Sequence, residues 1–280
     1  MVGAILFGLF GILALIGVPV GISLGLSTVV AIWTLPGLNL DFFVRGLVVG
    51  LDSFPLIAVL FFTVAGNIMG RGGISSRLLG IADMFFGRMT GGLGMVSIVA
   101  CMMFAAISGT GSATVAAIGS IMIPAMVKKG YDRNFAGSLV ASAGTIGAII
   151  PPSVAMIIYA IASGVSVTSM FIGGILPGIL VGVFLILYCY LYSRKHHYGG
   201  AVENEYVSEK TENIFHTLWA LSVPVMILGG IYSGVFTPTE ASGVAVVYGT
   251  FIGIFIYKEI RWKDLAPIFL ESTLLVSCVL

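Results

Sequence analysis

The sequence predicts an all-α polytopic membrane protein, and its composition and its long apolar segments carry that prediction. Of the 280 residues, 58% are hydrophobic and only 9% are charged, whereas a soluble domain has roughly 25% charged residues. The apolar segments are continuous, without the alternation of polar and apolar residues that marks a transmembrane β-barrel. So few charges exclude a soluble enzyme, and a net charge of +1 without a basic patch excludes a protein that binds nucleic acid.

The first apolar segment, residues 1–40, contains no charged side chain. As a single helix it would be about 60 Å long, which is twice the ~30 Å hydrocarbon core of a bilayer. We therefore predict a break at Gly17-Val18-Pro19, because proline interrupts a helix. After a polar loop, residues 53–69 are predicted to form one membrane span.

The next uncharged segment, residues 89–127, is predicted to be a re-entrant hairpin. Basic residues flank it on both sides, at 71–88 and at 128–133, and the positive-inside rule places both clusters in the cytoplasm. Two arms of about sixteen residues, on either side of residues 108–112, would reach only ~24 Å. The hairpin should therefore stop partway through the membrane.

The segment 134–193 also lacks charged side chains and is predicted to cross the membrane and return, with a turn at residues 164–168. The hydrophilic stretch that follows, residues 194–212, is interpreted as a cytoplasmic linker. It contains His196 and His197, which we interpret as solvated loop residues rather than metal ligands.

Two further spans are predicted at residues 214–236 and 241–257, before a final apolar segment from residue 265. The turn between them contains Thr237-Pro238-Thr239-Glu240, the pattern of a helix capping box with proline at the first helical position. This pattern favours a structural role for Glu240 over a role as a proton-relaying carboxylate in the membrane.

Two polar breaks interrupt these apolar segments. The hairpin tip (residues 107–114) contains four hydroxyl side chains and two glycines. The unwound segment (residues 144–153) contains Pro151-Pro152, which removes two helix donors and frees the preceding carbonyl groups. Backbone that leaves a helix inside the membrane must line a cavity or bind a ligand. Taken singly, each break could instead be a kinked packing interface.

Together the two breaks predict an ion and substrate site of a secondary transporter. Neutral carbonyl and hydroxyl oxygens suit a hard monovalent cation such as Na⁺, and the helix N-termini that follow the breaks favour an anion. The predicted sodium ligands are Ser108, Gly109, Ser112, Gly144, Gly147, Ile150 and Pro152. The predicted substrate contacts are Thr110, Thr145 and Ser153. Beyond Na⁺ as coupling ion, we expect no cofactor and no transition metal.

Other functions fit the sequence less well. The stretch Gly21-Ile22-Ser23-Leu24-Gly25 matches the G-x-S-x-G motif of hydrolases, but no span supplies a histidine or aspartate to activate the serine. The absence of a P-loop argues against an ATP-driven pump, so we expect no enzyme. The remaining alternative is an ion channel or a passive membrane scaffold subunit, although a channel needs a continuous polar pore.

Several motifs resemble the large membrane subunit of the TRAP (tripartite ATP-independent periplasmic) transporters, the DctM-like or SiaM-like family. They span nearly the whole chain: Phe54-Pro55-Leu56, Ala65-Gly66-Asn67-Ile68-Met69, Gly72-Gly73-Ile74-Ser75, Ile107-Ser108-Gly109, residues 123–132, Ile149-Ile150-Pro151-Pro152-Ser153 and residues 236–242. One departure is at the hairpin tip, where many members read Ser-Gly-Ser followed by an acidic residue and this chain has Ser108-Gly109-Thr110 without the acid.

The resemblance implies Na⁺-coupled uptake of an organic carboxylate, such as sialic acid or a C4-dicarboxylate, across the bacterial inner (cytoplasmic) membrane. It also implies an elevator-type fold, a small four-helix membrane subunit and a periplasmic substrate-binding protein as partners. The resemblance implies that residues 1–90 form scaffold helices and that residues 91–165 form half of the transport domain, with a hairpin at 91–127 and a broken helix at 134–163. Residues 166–193 are expected to form a membrane span, and residues 194–212 are expected to form the linker. Residues 213–280 are expected to begin a second, truncated inverted repeat.

Overall fold

The computed structural model describes residues 2–34, 39–199 and 214–277, with side chains from residue 217 onwards in the last range. Thirteen α-helices lie within these residues, so the prediction of an all-α protein is confirmed. In the described part of the chain, four helical segments are long and apolar enough to cross a membrane, at Phe54–Arg71, Gly111–Lys128, Val167–Lys195 and Pro238–Ile256.

The chain forms two compact units, of which the first is Met1–Ser53. It contains α1 (Val2–Leu15), α2 (Val20–Trp33) and α3 (Leu40–Leu51). The predicted break between α1 and α2 is confirmed: Gly17 has a φ of +90°, and Pro19 immediately precedes α2. Ser23, the serine of the hydrolase-like motif, is buried in α2 and donates a hydrogen bond to the Val18 carbonyl at 3.2 Å.

The second unit is Phe54–Leu280. Its helices are α4 (Phe54–Arg71), α5 (Ile74–Phe86), α6 (Gly92–Ser108), α7 (Gly111–Lys128), α8 (Arg133–Gly144), α9 (Val154–Ser163), α10 (Val167–Lys195), α11 (Ile214–Tyr232), α12 (Pro238–Phe251) and α13 (Trp262–Ser277). A short 3₁₀ turn, Thr145–Ala148, follows α8, and a π-helical turn, Ile252–Ile256, follows α12.

The predicted hairpin is formed by α6 and α7, which pack against each other. The two helices have 17 and 18 residues, and only Gly109 and Thr110 separate them. The helix–turn–helix geometry is therefore as predicted. That the hairpin stops partway through the bilayer stays a prediction.

The predicted interruption of the helix over residues 134–163 is confirmed. Helix α8 ends at Gly144, the 3₁₀ turn covers Thr145–Ala148, and α9 begins only at Val154. The hydroxyl of Ser153 caps α9 by accepting a hydrogen bond from the Met156 amide at 3.4 Å. The unwound segment is thus a defined bend between two helices of one unit.

The turns that the sequence predicts after α9 and α11 are also present. Gly164 adopts a φ of +68° between α9 and α10. At the start of α12, the Thr237 amide donates to the Glu240 carboxylate at 2.8 Å and the Glu240 amide donates to the Thr237 hydroxyl at 3.3 Å. Both halves of the capping box are therefore formed, and Glu240 has the structural role that its sequence context favours.

Helix α10 packs closely on the unwound region and on α6 through three of its glycines. Gly174, Gly178 and Gly182 are buried, and a Cβ atom at any of them would collide with Met156, Ile150 or Met102, respectively. Small residues at this spacing allow helices to approach closely. Most of the predicted linker 194–212 lies outside the described residues; of its histidines, His196 is exposed and stacks on Tyr192 with a centroid separation of 4.3 Å.

Candidate functional site

The hairpin tip reverses the chain at Gly109 and Thr110. Gly109 has a φ of +66°, a left-handed conformation that side-chain-bearing residues rarely adopt, and it ends α6 directly after Ser108. Thr110 is extended and precedes α7. The first amides of α7 lack partners within the helix, so the positive end of the helix dipole lies at the tip.

The tip lies directly on the backbone of the unwound segment. The Val154 amide donates a hydrogen bond to the Gly109 carbonyl at 3.0 Å, which joins the tip to the first residue of α9. A Cβ on Gly109 would stand 2.7 Å from the Pro152 carbonyl oxygen, and one on Gly111 would stand 2.9 Å from the Gly144 carbonyl oxygen. The predicted meeting of the two breaks is therefore present in the fold.

Three oxygens gather where the tip meets the 3₁₀ turn, and we call them the tip oxygen cluster: the Ser108 hydroxyl, the Thr110 carbonyl and the Thr114 hydroxyl. The Thr114 hydroxyl donates to the Thr110 carbonyl at 2.9 Å and lies 3.0 Å from the Ser108 hydroxyl. Ser108 and Thr114 are buried, with 1% and 0% exposure. The predicted site residues Ser108 and Thr110 thus lie together, and Thr114 joins them.

Glycines form the floor under this cluster. A Cβ on Gly147 would stand 2.8 Å from the Thr110 carbonyl oxygen and 2.9 Å from the Thr114 hydroxyl. A Cβ on Gly66 of α4 would stand 2.8 Å from the Cα atom of Ser108. Real Cβ atoms do not approach other atoms so closely, so the position of the cluster depends on the absence of side chains at both positions.

The hydroxyl groups of two predicted substrate contacts donate hydrogen bonds to backbone carbonyls of the protein. Thr145 is exposed, and its hydroxyl donates to the Ser142 carbonyl at 2.7 Å within the same helical turn. Ser153 is fully buried, and its hydroxyl donates to the Ala148 carbonyl at 2.7 Å. The hydroxyl hydrogens of both side chains are therefore already used by the unwound region itself.

Two predicted sodium ligands also lie away from the tip oxygen cluster. The Ile150 amide donates to the Ile146 carbonyl at 2.8 Å, and the Ile150 side chain packs beside Gly178 of α10. Ser112 is exposed on the first turn of α7. The roles of these two residues as ligands stay predictions.

A cavity of about 340 Å³ lies next to the cluster, between α4 and the hairpin tip. It is lined by Val59, Thr63, Asn67, Thr110, Ser112, Ala113, Ala116, Val154, Leu275 and Val276. Its volume is at the low end of the range of ~300–1,000 Å³ that is usual for small-molecule sites. The lining residues include Thr110, a predicted substrate contact, and Ser112.

The composition of the cluster fits a monovalent cation. Each hydroxyl donates its one hydrogen and keeps a lone pair, and hard cations prefer such neutral oxygens. Within the described ranges, no group of three His, Cys, Asp or Glu side chains is placed to hold a metal ion. A cation at the tip would therefore meet hydroxyl and carbonyl oxygens rather than carboxylates.

Sequence reasoning missed Thr114 as a member of the site. Its signal was its position four residues after Thr110, which places it one helical turn along the same face of α7. Gly66 and Asn67 of α4 were noticed only as parts of a family motif. Nothing local in the sequence places α4 beside the hairpin tip.

The family model described as the DctM component of the tripartite ATP-independent periplasmic transporter matches residues 7–280. The isethionate TRAP transporter permease protein DctMQ of Oleidesulfovibrio alaskensis is 44% identical over 256 residues, covering 91% of this chain and 40% of the relative. The C4-dicarboxylate TRAP transporter large permease protein DctM of Rhodobacter capsulatus is 35% identical, covering 97% and 65%.

A third relative is the sialic acid TRAP transporter permease protein SiaT of Haemophilus influenzae. It is 36% identical over 268 residues, which cover 96% of this chain and 43% of the relative. The chain thus spans between 40% and 65% of the length of these three relatives. The chain is a multi-pass membrane protein that belongs to the DctM family of TRAP transporter components, a family of transport proteins and not of enzymes.

Proposed function

We propose that this chain forms part of a Na⁺-coupled importer of an organic acid. The observation that carries the proposal is the tip oxygen cluster, in which buried neutral oxygens of the hairpin meet a helix that is unwound beside them. Membership in a transporter family supports a transport role. The relatives are named for isethionate, C4-dicarboxylates and sialic acid, all of which are anions, and this supports an acidic substrate.

The Na⁺ ion would be held by the hydroxyl oxygens of Ser108 and Thr114, because the Thr110 carbonyl already accepts from the hydroxyl and the amide of Thr114. The carbonyls of Gly144 and Pro152 lie beside the tip glycines. When bound, the ion would supply a positive charge to a region whose own ligands are neutral. The protein contributes geometry: Gly147 and Gly66 let the backbone approach, and the Val154 hydrogen bond fixes the tip.

The acid group of the substrate would bind at the start of α7, in the cavity lined by Thr110 and Ser112. Both side chains carry hydroxyl donors, and the free amides and dipole of the helix N-terminus favour an anion. In this proposal Ser112 binds the substrate, in place of its predicted role as a sodium ligand.

The partners and location follow the same proposal. A small membrane subunit of four helices and a periplasmic substrate-binding protein would complete the importer in the bacterial inner membrane. The description of the matching family as tripartite and periplasmic, and the name "large permease protein" of one relative, support such an assembly. Movement of the substrate would follow an elevator-type displacement of the part that carries the hairpin.

The proposal is tested with the complete transporter in proteoliposomes, with its binding protein and an imposed Na⁺ gradient. Ser108→Ala and Thr114→Val each remove one hydroxyl ligand, and we expect each to raise the half-saturating Na⁺ concentration roughly 10-fold. The matched control is Ser120→Ala, because that exposed hydroxyl of α7 donates only to the Ala117 carbonyl.

Unchanged Na⁺ affinity in both Ser108→Ala and Thr114→Val would show that the cluster is not the sodium site. An uptake rate that does not depend on the Na⁺ gradient would contradict the coupling of substrate import to Na⁺. A conductance that needs neither gradient nor binding protein would favour the alternative of a channel.

A further inference from the structure

The cavity beside the hairpin tip has two polar walls of different chemistry. One wall belongs to the tip, with the hydroxyls of Thr110 and Ser112, and the other belongs to α4, with Thr63 and Asn67. The rest of the lining is apolar, and it contains no charged side chain among the described residues. A ligand in this cavity must therefore satisfy two separate sets of hydrogen-bonding groups.

The orientation of the Asn67 amide follows from its neighbour on α13. The Ser272 hydroxyl is fully buried and donates its one hydrogen to the Ile268 carbonyl at 2.7 Å. Ser272 can then only accept from Asn67, so the Asn67 Nδ2 atom is the donor of the 2.7 Å hydrogen bond that joins the two side chains. The Asn67 carbonyl oxygen and the second hydrogen of its Nδ2 atom are left over, without a hydrogen-bond partner in the described part of the chain.

The second polar group of this wall is also an acceptor. The Thr63 hydroxyl donates its hydrogen to the Val59 carbonyl at 2.8 Å, so only its lone pairs remain for a ligand. The α4 wall thus offers two acceptor oxygens and one amide N–H, a set that a hydroxyl group can match, whereas the tip wall offers hydroxyl donors and the positive end of a helix. An acid group fits the tip wall, and a hydrogen-bond donor fits the α4 wall.

We propose that Asn67 is a specificity-determining residue that accepts a hydrogen bond from a hydroxyl group of the substrate. The inference rests on the proposed function and deepens it: the substrate class is a small hydroxylated organic acid, bound with its acid at the tip and its hydroxyl at α4. An acid without the hydroxyl leaves the acceptors of α4 unpaired, and such unpaired polar groups are what a site uses to reject an analogue.

The experiment compares a hydroxy acid with the acid of the same carbon skeleton that lacks both of its hydroxyl groups. Glycerate or propionate is added as a competitor of Na⁺-driven substrate uptake by the complete transporter, and the ratio of the two inhibition constants is measured. We expect the wild type to favour glycerate by roughly 10- to 100-fold. Asn67→Leu, which keeps the approximate volume without the carbonyl, should bring this ratio close to one.

A second variant separates recognition from packing. Ser272→Ala removes the hydrogen bond between α4 and α13 but keeps the Asn67 carbonyl, so it should retain the glycerate preference even if the protein is less stable. Equal loss of the preference in Ser272→Ala and Asn67→Leu, together with an equal fall in thermal stability, would show that Asn67 acts only through helix packing. Thermal stability of each variant, measured with and without glycerate, gives a readout independent of transport.

Two other outcomes are decisive. A wild-type protein that binds glycerate and propionate equally overturns the assignment of Asn67 while leaving Na⁺-coupled uptake intact. The absence of any Na⁺-dependent uptake, by contrast, refutes the proposed function itself.

Discussion

Two junctions within the unit Phe54–Leu280 join distant parts of the chain, and they do so with opposite chemistry. The tip junction, where the hairpin tip meets the unwound segment, contains neutral oxygens only. The ionic junction joins the start of α5 to the turn before α13 through Arg77, Tyr257 and Glu259. The Arg77 guanidinium donates to the Glu259 carboxylate at 3.0 Å and lies 3.6 Å from the centroid of the Tyr257 ring.

Both junctions depend on glycine for close approach. At the ionic junction, a Cβ on Gly73 would overlap the Glu259 carboxylate, and Gly73 has a φ of +76° besides. The Gly73 carbonyl accepts a further hydrogen bond from Arg77 at 2.8 Å. At the tip junction, Gly109 and Gly147 have the corresponding role. Close packing alone therefore does not distinguish a binding site from a structural contact.

The difference lies in charge. At the ionic junction, the Arg77 cation is compensated by the Glu259 carboxylate and the Tyr257 ring, although its buried Nε atom has no hydrogen-bond partner among the described residues. At the tip junction, the hydroxyl oxygens of Ser108 and Thr114 keep lone pairs for a further partner. Damage to the ionic junction should therefore lower stability alone, whereas damage to the tip junction should also lower ligand affinity.

The largest effect is expected from a side chain placed inside the tip junction. Gly147→Ala puts a methyl group 2.8 Å from the Thr110 carbonyl oxygen, so the tip oxygen cluster must shift. We expect the half-saturating Na⁺ concentration for uptake to rise by more than about 10-fold, with a loss of about 1–3 kcal/mol in stability from overpacking.

Gly137→Ala in α8 is the matched control, because nothing lies within 4 Å of a Cβ at that position. A Gly147→Ala variant with wild-type Na⁺ dependence would remove the functional distinction between the two junctions.

A smaller effect, and one on a different property, is expected at the ionic junction. Arg77→Gln removes the ion pair with the Glu259 carboxylate, which is 26% exposed, and removes the cation from the Tyr257 ring. Because the pair is only partly buried, the expected loss is about 1–3 kcal/mol rather than the full cost of a buried pair.

The unfolding midpoint in detergent measures this loss, and the exposed residue Lys263, changed to alanine, serves as the control. Among folded Arg77→Gln molecules, the Na⁺ affinity for uptake should stay within about twofold of the wild type. A large fall in Na⁺ affinity at normal stability would mean that the ionic junction belongs to the transport site.

Features of the fold that depend on neighbouring residues could be predicted from the sequence. The breaks at Gly17-Val18-Pro19 and at Pro151-Pro152, and the capping box at Thr237–Glu240, are set by neighbours in sequence and were predictable. So was the hairpin, because its polar tip interrupts an apolar segment. Each of these features depends on local backbone chemistry.

Contacts between distant residues were not predictable in the same way. The Asn67–Ser272 hydrogen bond joins residues 205 positions apart, and the Arg77–Glu259 pair joins residues 182 positions apart. The role of the Ile150 carbonyl as a ligand stays a prediction; the Ile150 side chain packs on α10, and its amide donates to the Ile146 carbonyl. Tertiary packing decides which of several locally equivalent oxygens face one another.

The smallest effect should come from the ion pair between Arg71 of α4 and Glu271 of α13, one helical turn from Asn67 on the same helix. These side chains are 49% and 52% exposed, so water screens their charges, and pairs of this kind contribute about 0–1 kcal/mol. Arg71→Ala, Glu271→Ala and the double variant should therefore show a coupling free energy below about 1 kcal/mol, weaker at high salt and without effect on Na⁺ affinity. A coupling of several kcal/mol would show that charge alone, rather than burial, determines the strength of the contacts between these helices.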